Sequence, residues 1–234
     1  MSIEICIPAF DEERIIAEAA SAVLRVLEET GKEVVVTVAD NASTDRTASI
    51  ARGIKGVSVL SIPTRGKGAA VSAAARHSGA DIFGFIDADL SADPTDILNL
   101  LSFVQSGGFD VAIGSRLIET TIVKRGAFRT LSSRIFNIFR KMIVGVGVED
   151  TQCGLKLMNA RGRKILASCA ETGWFLDIEF LARAERAGLR IKEIPIHWNE
   201  HRFKDRKSKL ALFRDSIGAL RAMLRIRKII SKTH

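Results

Sequence analysis

Strand-like and helix-like segments alternate along the first 115 residues, and this alternation is the feature that most limits the possible folds. Apolar, β-branched runs predict strands over 3–9, 33–40, 57–62, 81–87 and 109–115. Helical patterns over 12–29, 66–77 and 95–105 lie between them, and Ser43 to Thr47 is predicted to cap a further short helix. Short connections between such segments favour an α/β fold, with a mainly parallel sheet covered by helices on both faces.

The second half of the chain is more basic and more helical. Helices are predicted over 127–144, 160–169, 176–187 and 208–230, with a strand over 190–198. Helices 127–144 and 208–230 are basic and amphipathic, which is compatible with core packing or with a position on an anionic bilayer surface. We expect at least one of them to lie on a membrane.

Composition narrows the class of protein. The 234 residues are 47% hydrophobic and 26% charged, which excludes wholesale disorder. No apolar run reaches the length of a membrane-spanning helix, so we expect peripheral association with the cytoplasmic face of a membrane. Three cysteines without metal-knuckle spacing favour a reducing compartment.

Charge is divided unequally between the two halves. Residues 1–120 carry a net charge of −7 and residues 121–234 a net charge of +15. An acidic half indicates catalytic carboxylates or a divalent cation, and a basic half indicates an anionic partner such as phosphate, membrane or nucleic acid. The chain contains no recognisable nucleic-acid-binding motif, so we expect no nucleic-acid partner, although a basic nucleic-acid-binding protein is the alternative from another class.

Polar segments follow the predicted strands, at the edge of the sheet where α/β proteins bind ligands. In Asp87-Ala88-Asp89, two carboxylates end a hydrophobic strand and suit Mg²⁺ or Mn²⁺, although two solvated acids are the simpler alternative. Asp40 follows another strand, where its carboxylate is placed to bind a base or ribose. The glycines of Arg65-Gly66-Lys67-Gly68 permit close backbone approach, the following helix N-terminus favours an anion, and Lys67 adds a positive charge.

This set of segments resembles glycosyltransferase family two, the inverting sugar transferases of GT-A fold. IPAFDEE (7–13) matches the family's P-x-[YF]-N-E-E turn, DNASTDRT (40–47) its D-D-G-S-x-D-x-T, and DADLSADP (87–94) its D-x-D. Asp11 and Asn41 depart from that pattern. The resemblance implies a GT-A, Rossmann-like sheet, a divalent cation at Asp87 and Asp89, and a nucleotide-sugar site. The residues it implies for that site are Pro8, Ala9, Phe10, Glu12, Asp40, Lys67, Asp87, Ala88, Asp89, Arg116 and Lys209.

The second half resembles the polyprenyl-phosphate sugar synthases within that family. Gly114-Ser115-Arg116, the spacing of Arg129 and Ser133, and DTQCG (150–154) follow that subfamily's order. The DADLS string is similar to dolichol-phosphate mannose synthases, whereas DTQCGLKLM (150–158) is similar to dolichol-phosphate glucosyltransferases. We give the DADLS string more weight and expect GDP-mannose as donor. The alternatives are UDP-glucose, or a hydroxyl acceptor.

The resemblance also implies how the reaction proceeds. A polyprenyl or dolichyl monophosphate is already anionic, so it needs positioning by Arg116, Arg129 and Ser133 rather than a strong base. A metal at Asp89 would offset the charge of the leaving diphosphate, over which Lys209 and Arg202 would close. Attack opposite the leaving group gives a β-linked product. A hydroxyl acceptor would instead require a base such as Asp150 or Asp177.

The implied domain organisation is one catalytic domain with an extension. Residues 1–206 form the GT-A domain, with a nucleotide-binding half (1–115) and an acceptor-binding half (116–206). Residues 207–234 form a basic amphipathic C-terminal helix.

Overall fold

The computed structural model describes residues 1–118, 143–199 and 216–231, and within the last helix the side chains of 222–230. The strands are β1 (Ser2–Ala9), β2 (Glu33–Asp40), β3 (Val57–Ser61), β4 (Ile82–Ile86), β5 (Val111–Ser115), β6 (Leu155–Asn159) and β7 (Ile191–Pro195). The helices are α1 (Ile16–Glu28), α2 (Thr47–Arg52), α3 (Lys67–His77), α4 (Asp96–Gln105), α5 (Ala160–Ala167), α6 (Leu176–Arg186) and α7 (Ser216–Ser231).

The seven strands form one sheet in the order β3-β2-β1-β4-β6-β5-β7. Strands β1 to β4 are parallel, β5 pairs in parallel with β7, and β6 is antiparallel to both of its neighbours. The carboxyl ends of β1, β2, β4, β5 and β7 therefore share one edge of the sheet with the start of β6. This arrangement confirms the mostly parallel α/β fold expected from the sequence.

Helices cover both faces of the sheet. On one face α1 buries its apolar stripe, which includes Ile16, Val23 and Leu27, together with the apolar side of α4. On the other face α3, α5, α6 and α7 pack around Phe83 and Phe85 of β4. Because β4 is buried on both faces, all five of its residues are apolar or glycine.

The antiparallel strand β6 is absent from the sequence-based prediction. Its sequence LKLMN is short and contains a lysine, so its pattern does not stand out as a buried strand. The strand can nevertheless be buried because its lysine has a counterion: Lys156 is completely buried, and its ammonium pairs with Asp177 at 2.6 Å. The predicted strand over 190–198 is also shorter in the structure, where β7 ends at Pro195.

Helix α7 packs on the protein with its apolar face. Ala222, Met223, Ile226 and Ile230 are each at most 3% exposed, and Arg186 donates a hydrogen bond to the carbonyl of Ile230 at 2.8 Å. The apolar stripe of this helix is therefore covered by the protein in residues 222–230, contrary to the membrane-surface alternative for it. The other candidate helix, 127–144, lies almost wholly outside the described residues. No helix in the described ranges is both long and apolar enough to cross a bilayer.

Candidate active site at the edge of the sheet

The polar segments singled out in the sequence meet at the edge formed by the carboxyl ends of the parallel strands. Three non-glycine residues in the described part of the chain have a left-handed backbone, and all three follow these strands: Asp11 after β1, Ala42 after β2 and Leu90 after β4. Such conformations cost of order 1–3 kcal/mol each and persist where the surrounding structure imposes them. Their clustering marks this edge as the candidate site.

The turns after β1 and β2 are fastened to each other by side-chain hydrogen bonds. The backbone N–H of Asp11 donates to Ser43 Oγ at 3.0 Å, and that of Glu12 donates to Thr47 Oγ1 at 2.8 Å. The predicted short helix is present as α2, whose N-cap Arg46 makes no side-chain capping hydrogen bond. Asp45 Oδ1 accepts from the N–H of Thr47 at 2.9 Å, so this contact comes from Asp45 rather than from the hydroxyls of Ser43 and Thr47. These hydroxyls instead hold the β1 turn, so the two segments form one rigid wall.

Asp40 is the buried carboxylate of this wall. It ends β2, is 7% exposed, and its Oδ1 has no hydrogen-bond partner among the described residues. A buried carboxylate oxygen without a donor is costly unless a ligand supplies one. The position fits the predicted nucleotide contact.

Phe10 and Asn41 shape the space beside Asp40. The guanidinium of Arg65 lies over the Phe10 ring, 4.7 Å from its centre. The Asn41 side chain donates to the carbonyl of Thr64 and accepts from the N–H of Gly66, both at 2.5 Å. Asn41, one of the departures from the family pattern, therefore braces the 64–66 loop. Pro8 and Ala9 are the last two residues of β1, and Glu12 is buried.

Asp87 begins the loop after β4 and forms an ion pair with Lys67. The Lys67 ammonium is 2.6 Å from Asp87 Oδ1, and its side chain is 10% exposed. Burial by itself would lower the pKa of Lys67, but the charges of Asp87 and Asp177 raise it above its ordinary value. Lys67 is thus a fixed cation at the predicted metal carboxylate.

The N-terminus of α3, which the sequence indicates as favourable for an anion, uses two of its N–H groups within the protein. Gly68 N–H donates to the carbonyl of Gly173 at 3.2 Å, and Ala69 N–H donates to that of Thr172 at 3.0 Å. A Cβ added to Gly66 or Gly68 would collide with the backbone of this same segment. The glycines therefore permit a backbone contact within the protein, and Lys67 remains as the local anion-binding group.

Asp87 and Asp89 are the two carboxylates that the sequence predicts to hold a divalent cation. Asp89 Oδ1 accepts a hydrogen bond from the N–H of Ser91 at 3.0 Å, Ala88 between them is buried, and Asp87 is about one-third exposed. Across the described ranges, no group of three or more His, Cys, Asp or Glu residues is arranged to hold a metal. Two carboxylates fit Mg²⁺ or Mn²⁺, because such ions keep waters and take further oxygens from substrate phosphates.

Segment 150–154 connects Asp87 to the predicted acceptor side. It enters the site because β6 is antiparallel and starts at this edge. The Gly154 carbonyl accepts from Asp87 N–H at 3.2 Å, and a Cβ at Gly154 would collide with Asp87 Oδ2. At the other end of the segment lies Asp150, which binds Arg116.

Arg116 is held by a carboxylate and an aromatic ring. Its Nε and Nη2 donate to Asp150 Oδ2 and Oδ1, each at 2.7 Å, and its guanidinium lies 4.8 Å from the centre of the Trp198 ring. Burial by itself would raise the pKa of Asp150, but the hydrogen bonds and charge of Arg116 hold it below its ordinary value. Asp150 is therefore an ion-pair partner rather than a free base.

Glu193, which sequence reasoning did not assign a role, holds Asp150 in place. Its carboxylate accepts from the N–H groups of Glu149 and Asp150 at 2.8 and 2.9 Å. Glu185 accepts from the preceding residues Gly147 and Val148 in the same way. The position of Glu193 in β7 was the only sequence signal for this role. It becomes informative only once β7 is known to pair in parallel with β5.

The three cysteines of the chain are buried and unpaired. Burial raises the pKa of Cys153 to about 12, which keeps its thiol protonated and unreactive. Of the remaining predicted site residues, Arg129, Ser133, Arg202 and Lys209 lie outside the described residues.

Comparison with solved structures identifies the class of fold. Glucosyl-3-phosphoglycerate synthase from Mycobacterium tuberculosis, solved in complex with Mn²⁺ and UDP-glucose, superposes with a TM-score of 0.69 at 23% identity. The match covers 96% of this chain and 79% of that one. This similarity confirms the GT-A-type fold.

Sequence comparison then identifies the family. The model of glycosyl transferase family 2 matches residues 4–163, so the chain belongs to this family. Dolichyl-phosphate beta-glucosyltransferase of Saccharomyces cerevisiae is 30% identical, over 96% of this chain and 74% of that protein. Glycosyltransferase AglD of Haloferax volcanii is 28% identical over 96% of this chain, which spans only 37% of AglD.

Proposed function

We propose that the chain is a polyprenyl-phosphate hexosyltransferase that moves glucose from a nucleoside diphosphate sugar to a polyprenyl or dolichyl monophosphate. One observation carries the proposal: the carboxylates Asp87 and Asp89 and the clamped Arg116 occupy the same sheet edge, joined by segment 150–154. A site of this kind offers an acidic end for a metal-bound diphosphate and a cationic end for a second phosphate.

The donor we propose is UDP-glucose rather than the GDP-mannose expected from the sequence. Dolichyl-phosphate beta-glucosyltransferases of Saccharomyces cerevisiae, Dictyostelium discoideum and Drosophila melanogaster are 30%, 25% and 29% identical to this chain. The expectation of GDP-mannose as donor rested mainly on the DADLS string. The glucosyltransferase-like string DTQCGLKLM starts with segment 150–154, which contacts both Asp87 and Arg116, so it bears on the same site.

The donor nucleotide would lie along the wall formed by Phe10 and Asp40. Asp40 Oδ1 would accept a hydrogen bond from the base or ribose, which supplies its missing donor. Lys67 would bind the diphosphate. A divalent cation held by Asp87 and Asp89 would supply positive charge beside the leaving diphosphate.

The acceptor would be an anion that needs orientation more than deprotonation. Arg116, with Arg129 and Ser133 from the segment outside the described residues, would orient the lipid phosphate toward the sugar. Attack from the face opposite the diphosphate would invert the anomeric centre and give a β-linked lipid-phosphate glucose. We propose that the lipid reaches the site from a membrane surface, with the helix predicted from the sequence over 127–144 as the candidate for contact on the cytoplasmic side.

A hydroxyl acceptor is disfavoured by the two carboxylates that would have to act as its base. Asp150 is bound in two places by Arg116, and Asp177 pairs with the fully buried Lys156. Arg116 holds the pKa of Asp150 below its ordinary value, which makes this carboxylate a weak base.

The experiment that tests the proposal is a transfer assay with the purified full chain. UDP-glucose and GDP-mannose are each offered with polyprenyl phosphate or the unphosphorylated polyprenol, with Mn²⁺, Mg²⁺ or a chelator. We expect glucosylation of polyprenyl phosphate that depends on a divalent cation. Preferential mannosylation would overturn the donor assignment, and efficient use of polyprenol would overturn the acceptor assignment.

A further inference from the structure

Trp174 is an exposed aromatic side chain beside the site, and neither the sequence nor the proposed mechanism has given it a role. Its indole is 45% exposed, the only aromatic among the strongly exposed large hydrophobic side chains of the described residues. Single exposed hydrophobic residues are common on protein surfaces, so exposure by itself indicates nothing. What distinguishes Trp174 is its neighbour, since the ring centre lies 5.7 Å from the Lys67 ammonium.

The backbone that carries Trp174 is fixed to the helix that carries Lys67. The carbonyls of Gly173 and Thr172 accept hydrogen bonds from the N–H groups of Gly68 and Ala69 in the first turn of α3. The Glu179 carboxylate accepts from the N–H groups of Ala170 and Glu171 at 2.7–3.1 Å. Arg225 of α7 donates to Glu171 at 2.5 Å. The backbone of this loop is thus held by contacts with α3, α6 and α7, which places Trp174 next to Lys67.

A single ammonium group separates the indole from the carboxylate at which the donor diphosphate is proposed to bind. Lys67 contacts Asp87 Oδ1 at 2.6 Å and lies 5.7 Å from the Trp174 ring centre. In a nucleotide sugar, the hexose is bonded directly to the outer phosphate. A hexose whose diphosphate meets Lys67 and Asp87 is therefore within reach of the indole.

The indole has the chemistry that a pyranose ring requires. The C–H groups on the face of a hexose form an apolar surface that packs on a flat aromatic ring, while its hydroxyls bind polar groups around it. The Lys67 ammonium, 5.7 Å from the ring centre, supplies a cation that suits the phosphate attached to that sugar.

We propose that Trp174 is the stacking platform for the transferred hexose of the donor. This inference rests on the proposed function, because it takes the ligand to be a nucleoside diphosphate hexose. It assigns Trp174 to the sugar rather than to the base or the diphosphate, so its removal weakens binding of the sugar nucleotide but not of the free nucleotide.

Calorimetric titration of the full chain with UDP and with UDP-glucose in the presence of Mn²⁺ tests this assignment. Trp174→Ala is expected to raise the Kd of UDP-glucose roughly three- to tenfold and to leave the Kd of UDP unchanged. Trp174→Phe, which keeps an aromatic ring, should recover part of the loss. Leu224→Ala, at another exposed hydrophobic residue, serves as the control and should change neither constant.

Tryptophan fluorescence gives a second readout, because the chain contains only Trp174 and Trp198. UDP-glucose should change the emission of the wild type more than UDP does, and Trp174→Phe should abolish that difference. An equal loss of UDP and UDP-glucose affinity in Trp174→Ala, or no loss of either, would overturn the assignment. A different result would overturn the proposed function rather than the role of Trp174: a wild type that binds UDP-glucose but transfers no glucose to polyprenyl phosphate.

Discussion

Arg116 and Asp150 form a two-pronged ion pair in which Nε and Nη2 of the guanidinium each lie 2.7 Å from a carboxylate oxygen. The backbone N–H of Arg116 also donates to Asp150 Oδ2, at 2.8 Å. Within the described residues no hydrogen bond uses Nη1, the amino group that we propose contacts the acceptor phosphate.

Asp150→Asn removes the charge of this carboxylate but keeps its shape. We expect the free energy of unfolding to fall by about 2 kcal/mol at pH 7, because Arg116 loses its buried counterion. The folded-state pKa of Asp150 lies below the ordinary 3.8, so its stabilising contribution is complete above that pH and is lost as the pH falls further. Urea denaturation of wild type and variant from pH 7 to pH 3 measures how the difference in their free energies of unfolding depends on pH. A stability difference that already disappears between pH 7 and pH 5 would contradict the assigned ion pair.

Glu193→Gln tests whether Glu193 positions Arg116 through Asp150. Gln cannot accept from both N–H groups that the carboxylate holds, so segment 149–150 should loosen and the KM for polyprenyl phosphate should rise about three- to tenfold. The KM for the sugar nucleotide should stay unchanged. Glu185→Gln disturbs the preceding residues of the same segment and is the matched control. Equal effects of both variants on the acceptor KM would reduce Glu193 to a purely structural role.

Asp89→Asn tests the metal and diphosphate end of the site. The amide oxygen can still accept from Ser91 N–H, so the loop should keep its fold while kcat falls about 10²- to 10³-fold. Steady-state transfer assays and circular dichroism measure the two effects. Asp93→Asn, which removes a carboxylate from the same loop, should keep most of the activity. Full activity of Asp89→Asn would be incompatible with its proposed role.

Gly154→Ala tests the close packing of segment 150–154 against the metal carboxylate. The new methyl group would occupy the space of Asp87 Oδ2, so the carboxylate must move, and a displacement of about 1 Å lowers the rate about 10²-fold. Binding of Mn²⁺ in the presence of UDP, measured by electron paramagnetic resonance, should weaken in parallel. At Gly147 an added Cβ meets only Glu185, at 3.5 Å, so Gly147→Ala is the control that should retain activity.

Met223→Ala tests whether α7 belongs to the protein core. Met223 is 2% exposed, and its truncation should lower the free energy of unfolding by about 2–3 kcal/mol, as for other buried methionines. Leu224, on the next position, is 51% exposed, and Leu224→Ala should have little effect. If the two variants unfolded at the same denaturant concentration as the wild type, α7 would not be packed as described.

Much of the site was predictable because its residues follow strands whose patterns are strong. The β-branched run of β2 and the apolar run of β4 place Asp40 and Asp87 at the ends of buried strands, and parallel strands bring their ends together. The role of Gly66 and Gly68 was not predictable in the same way. A glycine shows that something approaches closely, but the approaching group was the backbone of Thr172, more than 100 positions along the chain.

The amino-acid sequence by itself determined the alternation of strands and helices, and with it the edge at which a ligand would bind. The reason is that hydrophobic periodicity and turn residues act over a few neighbouring positions. Only the tertiary structure decided which charges meet there. The pairs Lys67–Asp87, Arg116–Asp150 and Lys156–Asp177 join residues 20 or more positions apart. The last two pairs depend on β6, which enters the sheet antiparallel, carries Lys156 and brings segment 150–154 into the site. Charge pairing depends on proximity in space, which no local pattern encodes.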